Sequence, residues 1–262
     1  MGLFNRKSDS SAPGPARTIH LTKDPGGASA INLSKVREDG HLNLAKRADK
    51  AGIALSKRGL AGIRAQAVLI LDHSGSMYTD YANGQVQTLV ERVLGFALQI
   101  DTDGTVPVIP FDSRVRQTVD VTVDNYQGVV NKQIWRESQM GSTNLSAALE
   151  VLLEMAKKTD EPIFGAVCTD GNPDSRAATT KIVCELASYP VFLKFLSIRS
   201  VPYLKELDDL DDPAQRLLDN VDAKPDHDGE DLLTMSDLEF ANAMADEWDS
   251  WVSLATKAGV LS

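Results

Sequence analysis

Long apolar runs are missing from this 262-residue chain: no window approaches 18 consecutive apolar residues, which excludes a transmembrane helix from the sequence pattern. The start, Met1-Gly-Leu-Phe-Asn-Arg-Lys-Ser, lacks the apolar core of a secretory signal, so the expected location is the cytoplasm. Cysteine is scarce. Cys168 falls in an expected buried strand and Cys184 in an expected helix, without ligand spacing and, in the absence of a secretory signal, without an expected disulfide. Both read as packed thiols, poor groups for soft-ligand or redox chemistry. Positive charge is also short. A formal net charge of −10 argues against nucleic acid as a partner, because phosphate binding needs a basic face. No Gly-x-Ser-x-Gly elbow or His/Asp pair accompanies a serine, so the sequence offers no nucleophilic catalytic set. The run 206–231 holds 11 acidic and two basic side chains but no Asp-x-Asp-x-Asp-Gly spacing, and reads as a solvated loop. His20, His41 and His227 have no ligand spacing and are expected at the surface.

The residues that are present divide the chain. Residues 1–30 are rich in Ser, Pro, Gly and Ala and bury too little to offset ordering entropy, which predicts a flexible tail. Residues 31–62 form a basic segment packed on, or extending from, the domain that begins at residue 63: residues 1–64 carry 12 Lys or Arg against 5 Asp or Glu. Within it Ile31-Asn-Leu33-Ser-Lys35, Leu42-Asn-Leu44-Ala-Lys46 and Ile53-Ala-Leu55-Ser-Lys57 repeat at 11-residue steps. That step is close to three helical turns, while the local alternation also suits short strands. Asp39-Gly40 predicts a turn and 44–58 a helix. The segment reads as a cover on the main domain or as a basic docking arm.

Residues 63–262 alternate strands with amphipathic helices. Strands are expected at 67–72, 106–111, 116–123, 162–169 and 190–198, with a short one near 218–221. One-sided stripes, Val86, Leu89, Val90, Val93, Leu94, Ala97 and then Leu145, Ala148, Leu149, Leu152, Leu153, Ala156, mark two of the helices. A weaker helix is expected at 125–134. One long helix is expected over 236–258, opened by a Ser236/Glu239 capping box. The fold class is therefore α/β, doubly wound, with a mainly parallel central sheet, one antiparallel edge strand and helices on both faces.

In such folds ligands bind beyond the carboxyl ends of the strands. Three loops there carry oxygen groups: Asp72-His73-Ser74-Gly75-Ser76, Gly141-Ser-Thr143-Asn144 and Thr169-Asp170-Gly171. Compact hydroxyls and carboxylates suit Mg²⁺, which demands near-octahedral oxygen at short range. The same groups equally stabilise loops by Asx turns and caps, and Thr143 equally suits an N-cap for the helix from Leu145. Gly75 and Gly141 are expected to allow close backbone approach. His73, between two ligand candidates, is expected to face solvent or a partner.

Together these loops resemble the metal-ion-dependent adhesion site of the von Willebrand factor A (VWA) family, whose Rossmann-like fold carries Asp-x-Ser-x-Ser, a later Thr and a later Asp. The matching residues are Asp72, Ser74, Ser76, Thr143 and Asp170. Leu193-Lys-Phe-Leu196, Tyr203-Leu-Lys-Glu-Leu207, Asp219-Asn220-Val221 and Lys257-Ala-Gly-Val-Leu261 resemble the TerF-like branch found in bacterial tellurium-resistance proteins. The resemblance implies a non-enzymatic protein-binding module of a bacterial tellurite-resistance or stress-response system. It further implies that the module holds Mg²⁺, with Mn²⁺ or Ca²⁺ as alternatives, and takes a carboxylate from its partner. A metal-independent scaffold and a metal-assisted phosphoester hydrolase are the competing readings.

Overall fold

A computed structural model describes residues 14–210, 212, 214–225 and 231–262. Six strands form one sheet: β1 Gln66–Asp72, β2 Val106–Phe111, β3 Val119–Val121, β4 Ile163–Thr169, β5 Val191–Ser197 and β6 Val221–Lys224. Their order is β3-β2-β1-β4-β5-β6, and only the β2–β3 pair is antiparallel. The order reverses between β1 and β4, which opens a crevice at their carboxyl ends. Asp72 ends β1 and Thr169 ends β4, so both flank that crevice.

Both faces of the sheet are buried, as the Val/Leu/Ile runs require. Along β1, Leu69 and Leu71 join one apolar cluster while Val68 and Ile70 join the other. Helices α1 Leu33–Glu38, α2 Leu42–Lys57, α3 Tyr78–Ala82 and α4 Gln85–Ile100 precede β2 in the chain, α3 and α4 lying between β1 and β2. α5 Leu145–Ala156 and α6 Arg176–Leu186 flank β4, α7 Pro202–Asp208 precedes β6, and α8 Asp237–Ala245 and α9 Trp248–Lys257 close the fold. α5, α6 and α7 cover one face; α4 with α8 and α9 cover the other. The two expected stripes are buried in full. Cys168 and Cys184 are buried free thiols.

Within the segment 31–62, α2 packs on α4 and α8. The 11-residue repeat is realised as helix: Asn32 caps α1, and α2 buries Leu44, Ala48, Ala51 and Leu55 against α4 and α8. α4 is consequently buried on its outer side too, with Gly95, Gln99 and Leu98 enclosed. The close crossing needs a glycine at position 95, where a Cβ would lie 2.7 Å from the Cβ of Arg47.

Five expectations change. Of the stretch expected as a tail, residues 1–13 lie outside the described residues. The rest runs along the domain: Ile19 is buried and donates its N–H to the Val260 carbonyl (3.1 Å), while Ser262 N–H returns to Ile19 O (2.9 Å). Its partners are the last residues of the chain, which composition does not reveal. The helix expected at 125–134 shrinks to a π-helical turn, Val130–Ile134. The short strand forms three residues later than expected, at Val221–Lys224, and the expected strand 116–123 is reduced to Val119–Val121. The long final helix is split between α8 and α9, with Glu247 at φ 57°. The break is bound from the sheet: Lys194 Nζ donates to the Asp246 carbonyl (2.8 Å) and Lys224 Nζ to Asp246 Oδ2 (2.6 Å). The capping box at Ser236 and Glu239 is formed. Of the acidic run, residues 211, 213 and 226–230, His227 included, lie outside the described residues. Among the described residues no helix is long and apolar enough to cross a membrane.

Candidate metal centre

Asp72 leaves β1 fully buried, and its two oxygens are both engaged. Oδ1 accepts the Ser74 N–H (2.7 Å), the Asx-type turn that ends the strand; Oδ2 accepts the Thr169 hydroxyl from the end of β4 (2.6 Å). Burial pushes the Asp72 carboxyl up to about 6, against the lowering effect of the hydrogen bonds from Thr169 and Ser74; the charge of Asp170 adds to the rise.

Ser74 Oγ and Ser76 Oγ lie 3.1 Å apart, and Ser76 Oγ donates to Asp170 Oδ1 at 2.8 Å. Asp72, Ser74, Ser76 and Asp170 are thus brought into one connected group. The Gly141 loop joins it through the backbone: Gly75 N–H donates to Gly141 O (2.9 Å), and Ser74 and Gly141 form a parallel bridge. Gly141 is required there, because a Cβ would meet Ser113 Oγ at 2.5 Å; at Gly75 the space is open to 3.9 Å, so that glycine is not needed for close approach.

Thr143 is held by its main chain. Its N–H donates to Asp174 Oδ1 (3.0 Å), its carbonyl accepts from Asp174 N–H (2.8 Å), and Ser142 Oγ donates to Asp174 Oδ2 (2.7 Å). The N-cap of α5 is Asn144, whose side chain accepts from Ala147 N–H, so Thr143 is not the cap and its hydroxyl has no such duty. Ligand-type spacing marks Thr143 in the sequence; Asp174 carries no motif, and only its bonds to both sides of the loop reveal it.

His73 corrects the expectation of an exposed ring. It is 1% exposed, with Nδ1 3.2 Å from Asp112 Oδ2, Nε2 accepting the Arg136 N–H (3.0 Å), and Tyr81 packed edge-on. The Arg136 bond assigns the proton to Nδ1. Burial holds the ring below its usual pKa, against the pull of Asp112. A position alternating with Asp72 and Ser74 points away from the crevice, and in a sheet buried on both faces that direction is interior.

Two further residues escape sequence reasoning. Arg199, two residues past β5, pairs through Nη1 with Asp170 Oδ2 and through Nη2 with Asp80 Oδ2 (2.9 Å). Its charge sits on the carboxylate whose other oxygen faces Ser76.

The donor set is chemically consistent with a hard divalent cation: two hydroxyls and a carboxylate oxygen are spaced at 3.1 and 2.8 Å, and neighbouring ligands of an octahedron with bonds of ~2.1 Å are ~3 Å apart. Among the described residues, one other carboxylate cluster, Asp208, Asp222 and Glu247, brings ligand atoms within 4.8 Å. Lys194 and Lys224 already pair with Asp222 there.

The Bacillus subtilis (strain 168) protein YcbR, described as uncharacterized, is 28% identical over 226 residues, covering 84% of this chain and 90% of its own length. Among solved structures, manganese-loaded Plasmodium vivax TRAP protein aligns at TM-score 0.43 and 12% identity over 69% of this chain and 71% of its own. The ArnB paralog VWA2 from Sulfolobus acidocaldarius aligns at 0.34 and 18% over 58% and 42%. At such TM-scores these two likenesses add no weight to the site. A family model described as the vWA found in the TerF C terminus matches residues 64–261, a span running from the entry of β1 to the residue that closes on Ile19, and on that match the chain belongs to the vWA-TerF-like family.

Proposed function

We propose that this chain is a non-enzymatic, divalent-metal-dependent protein-binding module acting in the cytoplasm as part of a bacterial tellurite-resistance or stress-response system. VWA domains often bind metal ions and proteins, and this chain carries one. The observation that carries the finer reading is the connected oxygen group at the sheet's switch point: Ser74, Ser76 and Asp170 at octahedral-edge spacing over a buried Asp72. Ser74, Ser76 and Thr143 would offer hydroxyl oxygens to Mg²⁺, with Mn²⁺ as the nearest substitute; Ca²⁺, whose bonds are longer by ~0.3–0.5 Å, suits these spacings less. Asp72 orients the Ser74 backbone and Asp170 orients the Ser76 hydroxyl. A bound ion would supply an electrophilic position suited to a carboxylate from the partner protein. Against a hydrolase, the one histidine beside the loops is buried and spent on Asp112 and a backbone amide, so its ring is not free to act as a general base.

The test is capture of partners from a bacterial lysate in Mg²⁺ or chelator, together with Mn²⁺ binding by the isolated protein, for wild type, Asp72→Ala and Thr143→Ala. Wild type is expected to bind Mn²⁺ and to capture only with metal; both variants should lose binding by tenfold or more. Equal capture in chelator would make the chain a metal-independent scaffold.

A further inference from the structure

Arg199 stands at the edge of the oxygen group with a role that neither the motif nor the fold requires. Its guanidinium spans two carboxylates that are almost fully buried: the side chain of Asp170 is 1% exposed and that of Asp80 6%, while Arg199 itself is 45% exposed. Asp80 comes from α3, directly after the Ser74–Ser76 loop, and Asp170 from the loop after β4. Asp170 is therefore divided, Oδ1 accepting from Ser76 and Oδ2 from Arg199.

Charge decides what this does. Counted by formal charge, the three carboxylates of this group, Asp72, Asp170 and Asp80, outweigh a divalent cation by one and would leave the loaded group net negative. Arg199 restores neutrality. A neutral centre can accept an anionic oxygen from another molecule; a negative one repels it, and the low dielectric around buried carboxylates magnifies the difference. The half-exposed guanidinium also keeps N–H donors toward solvent beside the site, where a second carboxylate oxygen can meet them.

Resting on the reading of the site as a metal centre, we propose that Arg199 is its specificity-determining cation: by holding Asp170 and Asp80 it weakens the metal but reserves the metal's open position for a carboxylate. The two effects have opposite signs, which a purely structural role would not produce.

The experiment uses the full chain, Mn²⁺ as the probe metal and acetate as the probe anion. Mn²⁺ affinity is read by electron paramagnetic resonance, and acetate binding by the loss of water relaxation enhancement on bound Mn²⁺. Arg199→Gln is expected to bind Mn²⁺ on the order of tenfold more tightly and acetate on the order of tenfold more weakly. Arg199→Lys, which keeps the charge, should stay within about threefold of wild type in both. Asp80→Asn removes one negative charge and is expected to move both affinities the other way, which keeps the test decisive if Arg199→Gln fails to fold. Unchanged affinities in Arg199→Gln, or a parallel loss of both, would overturn the role of Arg199 while leaving the metal centre standing. Failure of wild type to bind Mn²⁺ would overturn both.

Discussion

Replacing Lys194 by methionine tests the ionic group that binds the α8–α9 break to the sheet. Lys194 lies on β5, opposite Asp222 of β6, and both side chains are fully buried. Its ammonium pairs with Asp222 Oδ2 and donates to the Asp246 carbonyl at 2.8 Å. Burial, with the charge of Lys224, drives the Lys194 pKa well below that of an ordinary lysine, opposed by Asp246, Glu247 and Asp208. Methionine fits the stem but strands Asp222 and the carbonyl. Breaking a buried pair by removing one partner costs ~3–5 kcal/mol. Lys224 Nζ stays 3.3 Å from Asp222 Oδ1 and softens the loss, so the expected value is at the low end, about 3 kcal/mol. In urea, with m of ~3 kcal/mol/M for a chain of this size, the midpoint should fall by about 1 M at constant m. Lys194→Met/Asp222→Leu removes the orphaned charge as well and should recover most of the loss, since an apolar replacement of a buried pair is often neutral. A single variant within about 1 kcal/mol of wild type, or a double variant no better than the single, would refute the assignment.

Two other perturbations address different layers. Gly95→Ala gains roughly 1 kcal/mol of helix propensity, but its Cβ meets the Arg47 Cβ at 2.7 Å, and overpacking of that kind costs ~1–3 kcal/mol. A net loss of stability is expected, with faster tryptic cleavage at Lys57 and Arg58 as α2 loosens; unchanged cleavage and a higher midpoint would show that the crossing is not tight. Asp208 is pushed up to about 7 by burial, with repulsion from Glu247 and Asp219 adding to it. The folded state therefore keeps a proton that the unfolded carboxyl releases near pH 4, and the contribution of Asp208 to stability falls as pH rises from about 4 to about 7. Asp208→Asn should match wild type near pH 4 and exceed it at pH 8 in urea unfolding; a difference that does not change with pH would refute this.

How much of the fold and the site was legible in the sequence depends on the range of the physics involved. The stripes on α4 and α5 are legible because each residue's burial is set by a period within its own helix, and all twelve positions are buried. The site loops are legible because strand ends fix them: Asp72, Ser74 and Ser76 lie at or just beyond the end of β1, and Asp170 comes directly after β4. The second layer on α4 is not, because Leu44 and Ala48 are core only once α2 lies on α4. The run of Ile19 beside Val260 and the break at Glu247 likewise depend on partners far along the chain.

His73 is a different failure, because the sequence held enough to place it. Alternation puts Asp72 and Ser74 on one side and His73 on the other, and the uninterrupted apolar run before them says that neither side of the sheet is solvent. Taken as a loop the motif leaves His73 exposed, whereas the strand pairing persists one residue further: His73 N–H donates to Phe111 O at 2.6 Å. Arg199 carries the opposite lesson. Its 29-residue separation from Asp170 gives no period, and any arginine beyond a strand end would look the same. The motif specifies oxygens, which must touch a cation and so have fixed types and spacings. It does not specify the charge around them, which acts over several ångströms and can be supplied from any element within reach. Chains that share Asp72, Ser74, Ser76, Thr143 and Asp170 but lack a cation at Arg199 are therefore expected to bind metal more tightly and carboxylates less well, with no change in the motif itself.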